Sequence, residues 1–228
     1  MTKHFARLVF PLCSLALAFF ASAALVLAQP RAPRGYTTAV SERLMVSYDQ
    51  RFGAGTRTRL EAWKRYAAQR KGAPLSEADL LVEVNRTLNR VRFVDDAVHW
   101  KEPDYWATPA ESVGSDGADC EDFSIAKYFL LKELGVPIGR MRMTYVKAVK
   151  LNQAHMVLAY YARPDAEPLV LDNLEDTVRP ASQRTDLVPV YSFNDEEVWT
   201  ETRGASGSPR QIRNWSLLLE RLEREART

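Results

Sequence analysis

Cysteine and histidine are scarce in this chain of 228 residues, which has two cysteines and three histidines. Two cysteines are too few for a disulfide-stapled scaffold, which needs a dense and paired cysteine framework. A strong charge of either sign is also absent, because the formal net charge is +2. With 46% hydrophobic and 26% charged residues, the composition excludes disordered and collagen-like chains. The length and composition predict one globular domain.

One long apolar run lies at the N-terminus. Residues 8–28 carry no charge and follow a short head with Lys3 and Arg7, which is the layout of a secretory signal peptide. Small residues crowd the end of the run, so we expect cleavage after Ala28 and a mature chain that begins near Gln29. The alternative is an uncleaved membrane anchor, because an apolar run of this length can cross a bilayer.

Removing residues 1–28 changes both the charge and the cysteine count. Lys3 and Arg7 leave with the segment, so 29 basic residues face 29 acidic ones and the formal charge becomes zero. Nucleic-acid binding thereby loses its electrostatic basis. Cys13 also leaves, which makes Cys120 the single thiol of a chain in an oxidising compartment. A lone cysteine is either a small buried hydrophobe or a catalytic nucleophile.

Helical patterns come first along the mature chain. Apolar residues recur at helical spacing in residues 40–52 and 57–70, and Ser76 caps a third helix. These helices predict an N-terminal helical lobe. Residues 93–109, rich in aromatics and turn formers, predict an ordered connection packed over a site. The next helix, over residues 119–134, has almost no polar face and is predicted to be buried in the middle of the domain.

The pattern then changes from helical spacing to alternation. Residues 141–146, 154–161 and 169–172 are predicted as strands, and a turn at residues 163–165 joins the last two. A further extended segment is predicted over residues 188–193.

An amphipathic helix is predicted to close the chain. Ser208 is its expected cap, with Pro209 at the first helical position, and the helix runs to about Arg224. The residues predicted to dock it on the domain are Ile212, Trp215, Leu218, Leu219 and Leu222.

Cys120 lies in the first turn of the predicted buried helix. Unpaired backbone N–H groups and the positive end of the helix dipole stabilise a thiolate at such a position. A backbone N–H there can also point at a developing oxyanion. A structural cysteine has no reason to prefer that turn, so its position favours a nucleophile.

Two histidines remain in the mature chain, His99 and His155. His155 lies on a predicted strand, and Asp172 lies at the end of the next one. Direct pairing of these two residues centres the hairpin between Arg163 and Pro164, inside the predicted turn. The carboxylate would then orient the imidazole. A histidine that is merely satisfied within a sheet is the alternative, but the aligned aspartate and the lone cysteine favour a Cys-His-Asp triad.

Five short motifs resemble those of a known family. They are WATPAE at 106–111, DCEDF at 119–123, AKY at 126–128, HMVL at 155–158 and LDN at 171–173. Over residues 85–173 their joint spacing resembles the bacterial transglutaminase-like cysteine proteinases, the LapG-type periplasmic proteases. The resemblance implies a papain-like α+β fold, in which a helical lobe and a Cys-bearing helix pack on an antiparallel sheet. It also implies Cys120 as nucleophile, His155 as general base and Asp172 as the residue that orients the base.

The same resemblance implies a substrate and a regulator. In this family the substrate is a giant surface adhesin, cut near its N-terminus at a paired-alanine site, which releases the adhesin and disperses a biofilm. The family requires calcium and is held inactive by an inner-membrane cyclic-di-GMP receptor whose periplasmic domain sequesters it. We therefore expect a calcium-dependent periplasmic endopeptidase that is a monomer when free.

Carboxylates surround the cysteine in the sequence. Asp119, Glu121 and Asp122 adjoin it and Asp116 lies upstream, and such hard oxygen ligands suit calcium. Spacing alone favours a solvated acidic helix start, because the segment lacks an EF-hand pattern. The resemblance implies instead a metal site with Asp119 and Glu121 as ligands, and with Asp116 and Asp122 as further candidates.

These carboxylates also bear on the thiol. Carboxylates that point at Cys120 would raise its pKa and oppose the thiolate. We hypothesise that bound calcium neutralises this field and lets a Cys120–His155 ion pair form. Alkylation rates of Cys120 against pH, with and without a chelator, test this, and identical rates would contradict it. The expected oxyanion donors are the Cys120 backbone N–H and the Trp106 indole.

Two other classes of function share these residues. A true transglutaminase or a cell-wall amidase would use the same triad, because the acyl-enzyme step is common to all three. A cut in the paired-alanine region of an adhesin distinguishes the protease. A non-enzymatic binding module that keeps the fold is expected to lack a triad residue, and none is missing in this chain.

Overall fold

The structure, a computed structural model, describes residues 40–200, 204–205 and 207–228. The predicted signal segment, residues 1–28, and the leader that follows it lie outside these ranges, so its cleavage stays a prediction. Within the described ranges, every helix is too short or too polar to cross a bilayer.

Helices fill the first half of the described chain. They are α1 Glu42–Phe52, α2 Thr56–Gly72, α3 Glu77–Leu88, α4 Asp96–His99, α5 Pro109–Ser115 and α6 Cys120–Glu133. Ser41 caps α1 by accepting a hydrogen bond from the Leu44 N–H, and Ser76 caps α3 by accepting one from Asp79. The three helices predicted for the N-terminal lobe and the Cys-bearing helix are confirmed.

One antiparallel sheet fills the second half. Its strands are β1 Met141–Ala148, β2 Gln153–Tyr160, β3 Leu169–Leu171, β4 Arg179–Pro180, β5 Leu187–Phe193, β6 Val198–Thr200 and β7 Gly204–Ala205. The strand order is β4-β3-β2-β1-β5-β6-β7, and the pairs are antiparallel. The predicted strands correspond to β1, β2, β3 and β5, and the α+β class is confirmed.

Helix α6 is the centre of the domain. Eleven of its 14 residues are buried, and it contacts α3 and α5 of the helical lobe as well as β1 and β2 of the sheet. Because both the lobe and the sheet cover this helix, it has no polar stripe that faces solvent. This burial was predicted from its composition and holds the N-terminus of α6 in a defined place.

The register of the β2–β3 hairpin differs from the prediction. The predicted register pairs His155 directly with Asp172, whereas the structure pairs Leu158 with Leu171. The pairing is therefore shifted by two residues. Because side chains alternate between faces with a period of two, this shift leaves His155 and Asp172 on one face but in a diagonal relation.

The turn between these strands explains the shift. The Ala166 N–H donates to the Arg163 carbonyl at 3.0 Å, so Pro164 occupies the second position of the turn. The fixed φ of proline suits that position. The centre of the hairpin therefore lies between Pro164 and Asp165, one residue later than predicted.

The C-terminal helix also begins later than predicted. Pro209–Gln211 forms a separate 3-10 turn, and α7 runs over Arg213–Arg227. Ile212 between them has an extended backbone, with φ −81° and ψ 104°, which a β-branched residue adopts readily. The Ser208 side chain accepts from the Arg210 N–H and so caps the 3-10 turn. The predicted docking residues of α7 are buried apart from the half-buried Ile212.

Candidate active site

Cys120 is the first residue of α6 and the free thiol of the described chain. Asp119 before it has an extended backbone and is the N-cap of the helix. The loop that leads to it is held by Ala118, which donates to the Arg92 carbonyl at 3.1 Å and accepts from the Val94 N–H at 2.9 Å. The Cys120 thiol thus lies at a fixed helix N-terminus, where the dipole favours negative charge.

His99 supports this loop from behind. Its Nε2 lies 2.8 Å from the Ser115 hydroxyl, and its ring packs directly on Gly117. A Cβ on Gly117 would lie 2.4 Å from the His99 ring, so only glycine permits this approach. Of the two histidines of the predicted mature chain, His99 therefore has a packing role.

His155 and Asp172 form a buried hydrogen-bonded pair. The His155 Nε2 and the Asp172 Oδ1 are 2.8 Å apart, and the two residues are 3% and 1% exposed. Burial alone would raise the pKa of Asp172, but hydrogen bonds from His155, Leu174 and Arg184 outweigh it and lower that pKa to about 2. An ionised carboxylate only accepts hydrogen bonds, so Nε2 is the nitrogen that donates to Asp172, and Nδ1 is the nitrogen not engaged by this carboxylate.

A cavity of about 630 Å³ brings the cysteine and the histidine to one site. Cys120 from α6 and His155 from β2 both line it. Its other walls include Trp106, Glu121, Tyr145, Tyr191, Ile212 and Arg213. The cavity combines aromatic walls with the charged side chains of Asp104, Glu121 and Arg213, and apolar walls with a few polar groups are typical of a substrate site.

The surroundings of the Cys120 thiol oppose its ionisation. Cys120 donates to the Glu121 Oε2 at 3.1 Å. Burial and the carboxylates of Glu121 and Asp119 raise the pKa of the Cys120 thiol far above its usual range. The negative electrostatic field that the acidic run was predicted to exert on Cys120 is therefore present in the fold.

Five carboxylates converge beside the thiol. The oxygens of Asp96, Asp104 and Glu121 lie within 4.8 Å of one another, and so do those of Asp96, Asp119 and Asp122. Asp96, Glu121 and Asp122 are buried, whereas Asp104 is exposed. The two groups share Asp96, which lies on the short helix α4, so the cluster joins α4 to the start of α6.

The chemistry of these carboxylates fits a calcium ion. Within the described residues, Asp96 Oδ1, Asp119 Oδ1 and Asp122 Oδ2 are buried without a hydrogen-bond partner. Burial, reinforced by the neighbouring carboxylates, raises the pKa of Asp96 to about 7 and that of Asp119 to about 10. Crowded buried carboxylates are unfavourable as anions unless a cation offsets them. Oxygen ligands with unused lone pairs are the donors that Ca²⁺ takes.

Comparison with known proteins decides the family. Residues 61–206 match the family model of the bacterial transglutaminase-like cysteine proteinases. The chain belongs to this family. The resemblance seen in the sequence is thereby confirmed, and membership supports a cysteine protease. A comparison with curated protein sequences finds no match.

Solved structures of this proteinase family are similar to the chain over most of its length. Legionella pneumophila LapG is 36% identical, with a TM-score of 0.69, over 83% of this chain and 98% of that one. Its EGTA-treated form is 37% identical, with a TM-score of 0.71 and the same coverage. Its calcium-bound form is 38% identical, with a TM-score of 0.67, over 80% of this chain and 99% of that one.

Two residues suggested by the sequence have other surroundings in this proteinase. Asp116 lies outside both carboxylate groups, because it ends α5 with a left-handed backbone at φ 55°. Asp116 is therefore not placed to share an ion with these carboxylates. The Trp106 indole lines the cavity, but its Nε1 donates to the Asp104 Oδ1 at 3.0 Å. Its hydrogen is thus engaged by a carboxylate rather than aimed at an oxyanion.

Sequence reasoning missed three residues of the site. Asp96 and Asp104 belong to the carboxylate cluster, and Arg184 donates to the Asp172 Oδ2 at 2.7 Å. Asp96 and Asp104 lie in the aromatic connection that was predicted to cover a site, which is the one signal that pointed towards them. Arg184 lies 12 residues beyond Asp172, after β4, and no local pattern marks it.

Proposed function

We propose that this protein is a calcium-dependent cysteine endopeptidase in which Cys120, His155 and Asp172 form the triad. The observation that carries the proposal is the 2.8 Å hydrogen bond between His155 Nε2 and Asp172 Oδ1 at the wall of the cavity that holds Cys120. A buried carboxylate on one imidazole nitrogen leaves the other nitrogen to take a proton from the thiol.

The reaction would follow thiol-protease chemistry. His155 Nδ1 takes the proton of the Cys120 thiol, and the thiolate attacks the peptide carbonyl to form a C–S bond. Collapse of the tetrahedral intermediate breaks the C–N bond, and His155 gives its proton to the leaving amine. Water then hydrolyses the thioester, with His155 accepting the proton of the water and returning it to Cys120. The backbone N–H of Cys120 is the proposed oxyanion donor, because the first N–H groups of a helix have no intrahelical acceptor.

The carboxylate cluster is the proposed calcium site. Its proposed ligands are Asp96, Asp104, Asp119, Glu121 and Asp122. Calcium-bound and EGTA-treated structures of Legionella LapG support the choice of metal. When bound, the ion would supply positive charge that offsets the carboxylates around Cys120. Glu121 links the two sites, because it belongs to the cluster and also accepts the thiol hydrogen.

Substrate, regulator and location follow from the family resemblance. We propose that the enzyme acts in the periplasm on the N-terminal region of a large surface adhesin, at a paired-alanine site, and that the cut disperses a biofilm. Sequestration by an inner-membrane cyclic-di-GMP receptor is the proposed control. Tyr145 and Tyr191 stack on each other, with centroids 5.3 Å apart, on the wall of the cavity beside Cys120, and such an aromatic wall is suited to binding organic ligands.

Cleavage of an adhesin fragment tests the proposal. The purified protein is incubated with an N-terminal adhesin fragment that contains the paired-alanine site, in calcium and in EGTA. We expect one cut at that site in calcium, and no cut in EGTA or with Cys120→Ala. The matched control is Ser124→Ala, one turn along α6. It removes a hydroxyl that lies 3.0 Å from the Cys120 and Met156 carbonyls but leaves the thiol in place, so it should retain the cut. Intact fragment in every lane would contradict the protease, and incorporation of an added amine would indicate acyl transfer instead.

A further inference from the structure

Arg184 binds the oxygen of Asp172 that faces away from the imidazole. Its Nη2 donates to the Asp172 Oδ2 at 2.7 Å, while Oδ1 accepts from His155 at 2.8 Å and from the Leu174 N–H at 3.0 Å. Arg184 is only 8% exposed and Asp172 only 1%. Each carboxylate oxygen therefore has its own donors, and the plane of the carboxylate is held from two directions.

Arg184 is itself fixed by its neighbours. Its Nε and Nη2 donate to the two oxygens of Asp186 at 3.0 and 2.9 Å. Its backbone N–H donates to the Ala181 carbonyl at 2.9 Å, and its carbonyl accepts from the Leu187 N–H at 3.0 Å. The Asp186 carbonyl in turn accepts from Val149 at 2.8 Å in the turn between β1 and β2. The guanidinium is thus tied to the strands that carry the site.

No other described cation holds Asp172 in this way. Lys127 is 1% exposed and its ammonium is attracted by Asp172 and Asp176, but within the described residues the hydrogen bonds to the Asp172 carboxylate come from His155, Leu174 and Arg184. A planar guanidinium can bind two carboxylates in fixed directions, which a lysine cannot do. The clamp on Asp172 therefore depends on an arginine.

We infer that Arg184 is a positioning residue that locks the Asp172 carboxylate so that His155 keeps its proton on Nε2 and presents Nδ1 to Cys120. The inference rests on the proposed function, because it needs His155 to act as the base. Without Arg184, Oδ2 would be a buried acceptor without its main donor, and the carboxylate would turn towards other donors. A misplacement of about 1 Å at a catalytic base lowers turnover by about 10²-fold.

The tautomer of His155 is the readout that a merely structural residue would not move. We would record two-bond 1H–15N spectra of the 15N-labelled protein at a pH where the imidazole is neutral, and identify the His155 signals by their loss in His155→Gln. The wild type is expected to show the Nε2–H tautomer. Arg184→Gln is expected to show a mixture of both tautomers, together with a kcat about 10²-fold lower at unchanged KM. Arg184→Lys is expected to be intermediate.

Arg163→Gln is the matched control. Arg163 pairs with the aspartate two residues later, as Arg184 does, but that pair is exposed and lies in the turn that closes the β2–β3 hairpin, at the end opposite His155 and Asp172. It should keep the wild-type tautomer and kcat. If Arg184→Gln does not fold, Asp186→Asn replaces it, because it loosens the same guanidinium and should give the same mixture to a smaller extent.

The outcomes separate the two proposals. An Arg184→Gln protein that keeps the Nε2–H tautomer overturns the inference, even if its activity falls with its folded fraction. A wild type that cleaves no substrate counts against the proposed function, while the tautomer of His155 still decides the role of Arg184.

Discussion

Glu121 accepts the hydrogen of the Cys120 thiol, with Sγ and Oε2 3.1 Å apart. Its carboxylate also lies within 4.8 Å of the carboxylates of Asp96 and Asp104. One side chain thus contacts both the proposed nucleophile and the proposed metal site. Two adjacent residues at the first turn of α6 can point into neighbouring sites because successive helical residues project about 100° apart. This contact explains how the acidic residues next to Cys120 can act on the thiol and on a bound cation together.

Replacing Glu121 should weaken calcium binding. A ligand at 100 times its Kd stabilises the folded state by about 2.7 kcal/mol, so the Tm of the wild type should rise on addition of calcium. In Glu121→Gln we expect most of that rise to be lost, because a neutral amide replaces one anionic ligand. The matched control is Asp116→Asn, which lies outside the cluster and should keep the full rise. An equal rise in Glu121→Gln and the wild type would contradict this site.

Asp172 should stabilise the fold above pH 4. Its pKa is about 2 in the folded protein against 3.8 in the unfolded chain, so the folded state binds fewer protons between these values. The stabilisation, of about 2 kcal/mol, is fully present above pH 4 and is lost as the pH falls towards 2. Unfolding in urea should therefore show Asp172→Asn less stable than the wild type at pH 7, with a gap that narrows below pH 4.

The exposed Asp165 provides the comparison for Asp172, since Asp165→Asn should leave the unfolding free energy nearly unchanged at pH 7 and at pH 2. In addition, Asp172→Asn should lose roughly 10³-fold or more in turnover, because the amide no longer selects the correct imidazole tautomer. A gap that stays constant from pH 7 to pH 2 would show that the charge of Asp172 is not its cause.

Glu225 of α7 should make stability fall as the pH rises. Its Oε1 accepts hydrogen bonds from Tyr48 and Thr108, and burial raises its pKa well above the ordinary value of 4.5. The folded state then binds more protons than the unfolded chain, so the unfolding free energy falls from about pH 4.5 upwards until the folded pKa is reached. Glu225→Gln keeps the acceptor and should remove this fall. Glu220→Gln, exposed on the same helix, should retain it; parallel pH profiles for all three proteins would refute the prediction.

Trp215 should be the main anchor of α7. It is 0% exposed and stacks on Phe129 of α6, with ring centroids 5.8 Å apart and an angle of 14°. Trp215→Ala leaves a large cavity and should cost about 3–5 kcal/mol of unfolding free energy. Leu217→Ala, at a position 39% exposed on the same helix, should cost less than about 1 kcal/mol. Chemical denaturation at pH 7 measures both, and a small loss in Trp215→Ala would mean that α7 is not docked through this residue.

Strong periodic patterns made most of the fold predictable. The helix that begins at Cys120 and the strands around His155 were located to within two residues, because burial and alternation are local signals. The register of the β2–β3 hairpin was predicted wrongly, because it depends on which residues form the turn around Pro164. The start of α7 at Arg213 was also missed, because the extended backbone of Ile212 interrupts a pattern that looks continuous in the sequence.

The sequence by itself determined the lone Cys120 at a helix start, a single histidine on a strand, an acidic run and, through its motifs, the family. The tertiary structure decided which distant groups join them. Asp96 and Asp104 reach the carboxylate cluster because the segment 96–104 lies against the start of α6. Arg184 reaches Asp172 because the β4–β5 connection folds back to the end of β3. Such contacts have no period and no fixed spacing along the chain. They depend on the packing of whole elements, which is why they appear only in the folded protein.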